Sequence, residues 1–162
     1  MKNLQNQCGF ATFEVILVTA IISVLAFVAV PKFNQTLDAL RLDYQMNKFC
    51  NTVEMARSMN RSAKYNPEIF KNKIQPENTG ITLNILYSKR GYQLKTDSKT
   101  VGEPVILPEG FSITNAPSTA TITFDDDKVN YNGTVTITSR LGNTAEIIFD
   151  SVGRWRGSRN GK

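Results

Sequence analysis

Histidine is absent from this 162-residue chain, and cysteine occurs only twice, at Cys8 and Cys50. The lack of histidine removes the commonest general base and metal ligand, and with it the usual serine or cysteine triads. A glycine-rich phosphate loop is also missing. The run Asp125 to Asp127 lacks the spacing of a calcium loop and is typical of a solvated hairpin tip. We therefore expect no enzymatic activity, no cofactor and no metal site.

Glycine and proline are both missing from a 21-residue apolar run, Phe10 to Val30, which ends at Pro31. As a helix the run is roughly 30 Å long, about the thickness of a bilayer's hydrocarbon core. An ordinary secretory signal has a shorter apolar region, a more basic start and a cleavage site after the run. The sequence therefore predicts one membrane-spanning helix that stays with the mature protein.

The apolar run contains a single charged residue, Glu14. A carboxylate at the centre of a bilayer costs about 3 kcal/mol or more, so an acid in a membrane segment is a candidate functional site. Its cost falls if a cation lies beside it. We therefore expect Glu14 to need a positively charged partner.

Gly9 followed by Phe10, an acid at Glu14, a hydrophobic helix and then Pro31 resembles the class III signal of type IV pilins and pseudopilins. The resemblance implies that residues 1–9 form a leader and that residues 10–30 form the transmembrane and filament-core helix. It also implies cleavage after Gly9 by a prepilin peptidase and methylation of the new amine at Phe10. That amine of one subunit would meet Glu14 of the next, while Pro31 lies at the junction between the membrane segment and the part of the helix that continues it.

By this resemblance the protein is a minor pilin or pseudopilin, for a secretion, pilus or competence machine. The implied partners are the prepilin peptidase, other pilin or pseudopilin subunits, the inner-membrane assembly platform and membrane lipid. The subunit would cross the inner membrane once, with its head outside the cytoplasm, and then enter a filament. The alternative is a plain membrane anchor on an extracytoplasmic domain, with no role in a filament.

Residues 31–64 continue the helical pattern but become amphipathic. Apolar residues recur at spacings of three and four in two rows, Phe33, Leu37, Leu40 and Tyr44, then Leu42, Met46, Phe49, Val53 and Ala56. Charged residues such as Asp38, Arg41 and Glu54 occupy other positions. The pattern predicts a helix to about Lys64 that packs its apolar stripe against the rest of the protein.

Residues 65–162 change to an alternation with a period of two, as in Ile81, Leu83, Ile85 and Tyr87. Turn signals such as Pro108-Glu109-Gly110 and Leu141-Gly142-Asn143 separate the alternating segments. These 98 residues suffice for a sheet that buries one face, with the helix as the second layer. We therefore predict an α+β fold in which a long N-terminal helix, half membrane and half amphipathic, packs on an antiparallel β head. This is the architecture of type IV pilins.

The segment Thr144 to Phe149, with the residues that follow it to Arg156, is similar to the C-terminal strands of pilins of the H type. The last ten residues hold four cations, Arg154, Arg156, Arg159 and Lys162, and no acid. In an extended strand Arg154 and Arg156 point to one side and Trp155 to the other. Two arginines on one side suit backbone phosphates of a nucleic acid.

Gly153, Arg154, Trp155 and Arg156 also resemble the Gly-Arg-x-Arg motif with which some competence minor pilins bind DNA. The mature chain has 18 cationic and 14 acidic side chains, a mild positive surplus that suits anionic partners. DNA is therefore an alternative partner, contacted through the four cations of the chain end. The other interpretation is a solvated basic tail with Trp155 buried, and the sequence does not separate the two.

Overall fold

The computed structural model describes residues 5–65, 80–96, 99–125, 128–150 and 154–160. It begins with one long helix, α1 (Gln5–Tyr65), which contains Pro31. The strands follow as β1 (Ile81–Leu86), β2 (Gly91–Thr96), β3 (Lys99–Ile106), β4 (Ser112–Asn115), β5 (Thr121–Asp125), β6 (Lys128–Val129), β7 (Gly133–Thr138), β8 (Thr144–Phe149) and β9 (Trp155–Asn160). A short 3-10 helix, Tyr87–Lys89, joins β1 to β2. The predicted α+β architecture is confirmed.

The strands form two antiparallel sheets. The first has five strands in the order β3-β2-β1-β5-β6, and the second has four in the order β4-β7-β8-β9. The alternation in the sequence becomes an alternation of burial, because side chains of successive strand residues point to opposite faces. Ile81, Leu83 and Ile85 of β1 are buried, whereas the residues between them are partly exposed. One residue departs from this prediction, since Tyr87 lies outside β1 and is exposed.

The chain divides into two compact units, Met1–Leu37 and Asp38–Lys162. The first unit contains the apolar part of α1, and every side chain described from residue 12 to residue 36 is exposed. Within Thr12–Ser62 the helix is long and apolar enough to cross a membrane, and its most apolar 18-residue window has a mean hydropathy of 2.7 and no buried residue.

The second unit buries one face of the later part of α1 against the strands. Seven residues at spacings of three and four form this face: Asp38, Leu42, Gln45, Phe49, Val53, Ala56 and Asn60. Phe49 meets Tyr92 of β2 edge to face, with ring centroids 4.8 Å apart. Met46 lies against β9, where a Cβ added to Gly157 would be 3.1 Å from its sulfur. The helix is thus part of the core of the head.

The two predicted apolar rows on the helix have different outcomes. Leu42, Phe49, Val53 and Ala56 are buried as expected, and Met46 packs against them. Phe33, Leu40 and Tyr44 of the other row are exposed, so the prediction that they pack on the head is wrong. Both rows repeat every three or four residues, and the head covers only one of them.

Candidate functional site: the apolar helix and the basic strand

The apolar segment presents hydrocarbon on all sides and satisfies its own hydroxyl groups. Thr19 donates a hydrogen bond to the carbonyl of Ile16 at 3.0 Å, and Ser23 donates to the carbonyl of Thr19 at 2.7 Å. In a bilayer, where water is absent, a polar group without a partner costs several kcal/mol, and these two groups avoid that cost. Their pattern is compatible with a lipid or protein environment.

Glu14 is the exception within this segment. Its side chain is exposed, and it forms no hydrogen bond or ion pair with any residue in the described part of the chain. Gly9 and Phe10 lie in the same helix, one turn before it. The sequence prediction that Glu14 needs a cation from elsewhere therefore remains a prediction, and the geometry is compatible with it.

The basic terminal strand has the alternation that the sequence predicted. β9 pairs with β8 so that Trp155 is opposite Phe149 and Arg156 is opposite Ile148. Trp155 is half-buried against the core, and its Nε1 donates to Oε2 of Glu54 on α1 at 3.3 Å. Arg154 and Arg156 are exposed. Together with Ile148 and Asp150 these three residues line an open depression of about 470 Å³.

An acid that the sequence reasoning passed over sits beside Arg154. Oδ2 of Asp150 accepts a hydrogen bond from Nε of Arg154 at 2.8 Å, and its Oδ1 accepts one from the backbone N–H of the same residue, also at 2.8 Å. This ion pair is on the surface, where such pairs contribute about 1 kcal/mol or less. Asp150 fixes the direction of the Arg154 side chain and offsets part of its charge.

The four predicted cations do not form one cluster along the described part of the strand. Arg154 lies beside Asp150, immediately before β9, whereas the backbone of Arg159 pairs with Ala145, near the other end of β8. Lys162 lies outside the described residues, as does Gly153 of the predicted motif. Arg154 and Arg156 are the two cations that the described fold brings to one exposed side.

Asp38 is a buried carboxylate, only 7% exposed, although the sequence analysis placed it among the charged residues outside the apolar stripe. Its Oδ2 accepts hydrogen bonds from Ser139 Oγ at 2.5 Å and from Asn143 Nδ2 at 2.8 Å. Ser139 Oγ also accepts from the backbone N–H of Asn143 at 3.1 Å. The carboxylate therefore joins α1 to the turn between β7 and β8. The sequence carried one indication of this burial: Asp38 lies four residues before Leu42 and therefore on the same face of the helix.

Cys50 is a buried free thiol in α1. Burial raises the pKa of Cys50 to about 11, because the thiolate would lose its hydration. A thiol with a raised pKa is a poor nucleophile at neutral pH. The buried thiol is therefore a packing group of the helix.

Tyr92 is fully buried, and its hydroxyl has no hydrogen-bond partner among the described residues. The nearby Thr52 donates its own hydroxyl to the carbonyl of Lys48 at 2.9 Å. Burial raises the pKa of Tyr92 well above its usual value. The phenol is therefore a packing group of the core.

No group of three or more histidines, cysteines or acids that could hold a metal ion occurs in the described ranges.

No protein-family model, curated protein or solved structure matches this chain.

Proposed function

We propose that the protein is a minor pilin or pseudopilin, a subunit that is held in the inner membrane and then added to a type IV pilus-like filament. The observation that carries this proposal is the contrast within α1. One part of the helix belongs to the core of its own head, and the other exposes apolar side chains on every side with one acid among them. An exposed apolar helix of this length needs lipid or other protein chains around it.

Glu14 is the residue that links one subunit to the next in this proposal. A carboxylate in hydrocarbon costs about 3 kcal/mol, and a neighbouring cation reduces that cost. Cleavage after Gly9 by a prepilin peptidase creates an amine at Phe10, which is the cation that the next subunit supplies to Glu14. The acid thus favours the assembled filament over the free subunit, and Pro31 lies at the membrane-distal end of the segment that packs there. The inner-membrane assembly platform delivers the subunit.

The mass of the N-terminal peptide from membrane-extracted protein tests the proposal directly, because it reports cleavage and methylation together. We expect a mature chain that begins at an N-methylated Phe10. A protein that still begins at Met1 would overturn the pilin assignment and leave a plain membrane anchor.

Two variants separate processing from assembly. Replacing Gly9 by a bulky residue should leave an uncut precursor in the membrane. Glu14→Val should be cut normally but should be lost from sheared filaments, because the amine of the next subunit has no partner. Glu103→Val, which removes an exposed acid of β3, is the matched control and should assemble. Normal incorporation of Glu14→Val would exclude the proposed role of that acid.

A second candidate function is DNA binding for DNA uptake. It is supported by the exposed guanidinium groups of Arg154 and Arg156, which border one depression on the same side of β9. Phosphates carry no sequence information, so this binding would be weak and independent of sequence, with a Kd on the order of 10⁻⁴ to 10⁻⁶ M. The ion pair with Asp150 neutralises part of the positive charge of Arg154 and so weakens its attraction to phosphate.

Titration of the protein with duplex DNA at several salt concentrations tests this second function. Each phosphate contact changes the slope of log affinity against log salt by about 0.9, so Arg154→Gln with Arg156→Gln should reduce the slope by about two. Arg90→Gln with Arg140→Gln removes the same charge elsewhere on the head and is the control. An equal loss of slope in both double variants would show that DNA binding depends only on net charge. The role as a filament subunit would then be the one remaining proposal.

A further inference from the structure

The two sheets of the described fold end in four edge strands, β3, β6, β4 and β9, and three of them carry features that oppose pairing with a further strand. β3 contains Pro104, has Gly102 at a φ of +72° and shifts its register against β2. β4 is four residues long and shifts its register against β7, and β6 has only two residues. Prolines, bulges and short edge strands are the usual protections against unwanted strand pairing.

β9, the fourth edge strand, has none of these protections. Its six residues pair with β8 without a shift of register, and its sequence contains no proline. Arg156, Gly157 and Ser158, at its centre, are exposed. β9 is therefore the regular and accessible edge of the described part of the head, and we call its side away from β8 the open edge.

The backbone groups of β9 alternate between β8 and the open edge. The N–H of Asp150 donates to the carbonyl of Arg154 at 2.9 Å, which makes these two residues a hydrogen-bonded pair of the ladder. In an antiparallel ladder such pairs alternate with pairs whose backbone groups point outward. Arg156 therefore directs its N–H and C=O toward β8, whereas Gly157 and Arg159 direct theirs toward the open edge.

The two faces of β9 differ. On the inner face, a Cβ added to Gly157 would be 3.1 Å from the sulfur of Met46, so the strand lies directly on α1. On the outer face, Arg156 lies opposite Ile148, and its side chain is exposed. The strand is thus supported from one side and presents a cation on the other.

The charge of β9 indicates which strand could pair with it. β9 contains Arg156 and Arg159 and no acid, and Arg154 directly precedes it. Like charges on neighbouring strands are destabilising, so a second copy of β9, which brings the same arginines, is a poor partner. Alternate residues of a strand lie on one face, so a segment with an acid at every second position would place its acids beside Arg154 and Arg156.

We propose that β9 is a docking strand for an extended segment of another protein that carries acids at alternate positions. The segment adds to the second sheet as a further strand. Its backbone bonds with Gly157 and Arg159 provide affinity, and its acids beside Arg154 and Arg156 provide selectivity. All of these residues belong to the unit Asp38–Lys162. The contact goes beyond both functions proposed above and depends on neither.

Amide hydrogen exchange, followed by NMR on the full chain in detergent, tests this contact. In the protein alone the N–H of Gly157 should exchange at least about tenfold faster than that of Arg156, because only the second is bonded to β8. The probe is a short blocked peptide of alternating valine and glutamate. It should slow exchange at Gly157 several-fold, whereas the same peptide with lysine in place of glutamate should not.

Two variants at one position separate backbone pairing from attraction between charges. Gly157→Pro removes the N–H at the open edge, and Gly157→Ala is the matched control, because both add a Cβ beside Met46. We expect the acidic peptide to bind about three- to tenfold more weakly to the proline variant than to the alanine variant, the effect of one backbone hydrogen bond. If Gly157→Pro does not fold, Arg159→Pro against Arg159→Ala makes the same comparison two residues further along β9.

Unchanged exchange at Gly157 in the presence of the acidic peptide would overturn the proposal even if the peptide binds, because the arginine side chains alone would then hold it. Equal affinities of the proline and alanine variants would lead to the same conclusion. Protection of Gly157 that rises with protein concentration, without peptide, would overturn the proposal in favour of a second copy of this chain. Protection by duplex DNA and not by the acidic peptide would assign the open edge to nucleic acid instead.

Discussion

The two parts of α1 have the same backbone conformation and different environments. From residue 12 to residue 36 the described side chains are exposed, including Phe27 at 84%. From Asp38 onward one face of the helix is buried, with Leu42 and Phe49 fully covered. The first part is apolar all round, and the second is apolar on one face and polar on others.

This difference shows that helix formation and helix burial are separate matters. Both parts are rich in residues that tolerate a helix, but the free energy of an apolar surface depends on what covers it. The chain covers one face of the second part with its own strands, and no described residue covers the first part. The following substitutions test that division, from the largest expected effect to the smallest.

The largest effect should come from one substitution made in both parts of the helix. Phe49→Asp places a carboxylate in the core and removes the ring contact with Tyr92, so it should cost more than about 4 kcal/mol, much of the stability of a typical domain. Phe27→Asp should leave the head folded and weaken membrane retention, by about 3 kcal/mol for a charge in hydrocarbon. Near-ultraviolet circular dichroism of detergent-solubilised protein measures the fold, and carbonate extraction measures retention.

The two substitutions serve as controls for each other, since they introduce the same charge at the same type of residue. If Phe27→Asp also abolished the signal of the folded head, the independence of the two parts would be wrong. If Phe49→Asp kept that signal, the helix would not be part of the core.

The next effect concerns the link between the helix and the turn after β7. Asp38→Ala leaves the hydroxyl of Ser139 and the amide of Asn143 without their acceptor, and we expect a loss of about 2 kcal/mol in urea unfolding of the full chain in detergent. Asp38→Asn keeps an acceptor oxygen and should recover part of the loss. Glu103→Ala, at an exposed acid, should change stability by less than about 0.5 kcal/mol. Equal effects of Asp38→Ala and Glu103→Ala would contradict the structural role of the buried carboxylate.

A smaller effect should appear at alkaline pH. Burial raises the pKa of Cys50 from 9.0 to about 11, so above pH 9 the unfolded chain loses this proton while the folded chain keeps it. Fewer protons on the unfolded state mean that stability falls as the pH rises, by up to about 2 kcal/mol between pH 9 and pH 11.

Urea unfolding at pH 8, 9 and 10 measures this decline, and Cys50→Ala should flatten it. The pKa values of Tyr92 and Tyr131 are also raised by burial, but these phenols begin to contribute only near pH 10. An identical decline between pH 9 and pH 10 in Cys50→Ala would show that the thiol is not its source.

The smallest effect should come from Tyr92→Phe. The buried hydroxyl has no hydrogen-bond partner among the described residues, so its removal should leave stability unchanged or raise it by up to about 1 kcal/mol. Tyr131→Phe is the matched control, because that hydroxyl donates to the carbonyl of Thr134 at 3.1 Å and its loss should cost about 1 kcal/mol. Thermal unfolding of both variants decides between these expectations. A loss of stability in Tyr92→Phe that equals the loss in Tyr131→Phe would reveal a hydrogen bond at Tyr92.

Much of the fold could be predicted because its signals are local. The period of 3.6 predicted a helix to about Lys64, and the helix ends at Tyr65. The alternation at Ile81 to Ile85 and the turn signal at Gly142 predicted strands and a hairpin, and Gly142 has the positive φ of +82° that favours glycine. These signals arise from steric preferences and repeat spacings that a short segment carries by itself.

The candidate site was less predictable, because it depends on contacts between distant segments. Asp150 lies four residues before Arg154 and could have been noticed, yet the sequence does not say that its two oxygens turn toward that arginine. The separation of Arg159 from Arg154 follows from the register of β9 on β8, which no local pattern encodes.

The sequence by itself determined the apolar span, its single acid at Glu14 and the change from helix to strand, since each is a property of neighbouring residues. Only the tertiary structure decided which apolar row of the helix is covered: Leu42 and Phe49 are buried, while Leu40 and Tyr44 face outward. It also decided that Asp38 is buried, because a carboxylate can leave water only where Ser139 and Asn143, about a hundred residues later in the chain, supply its hydrogen bonds.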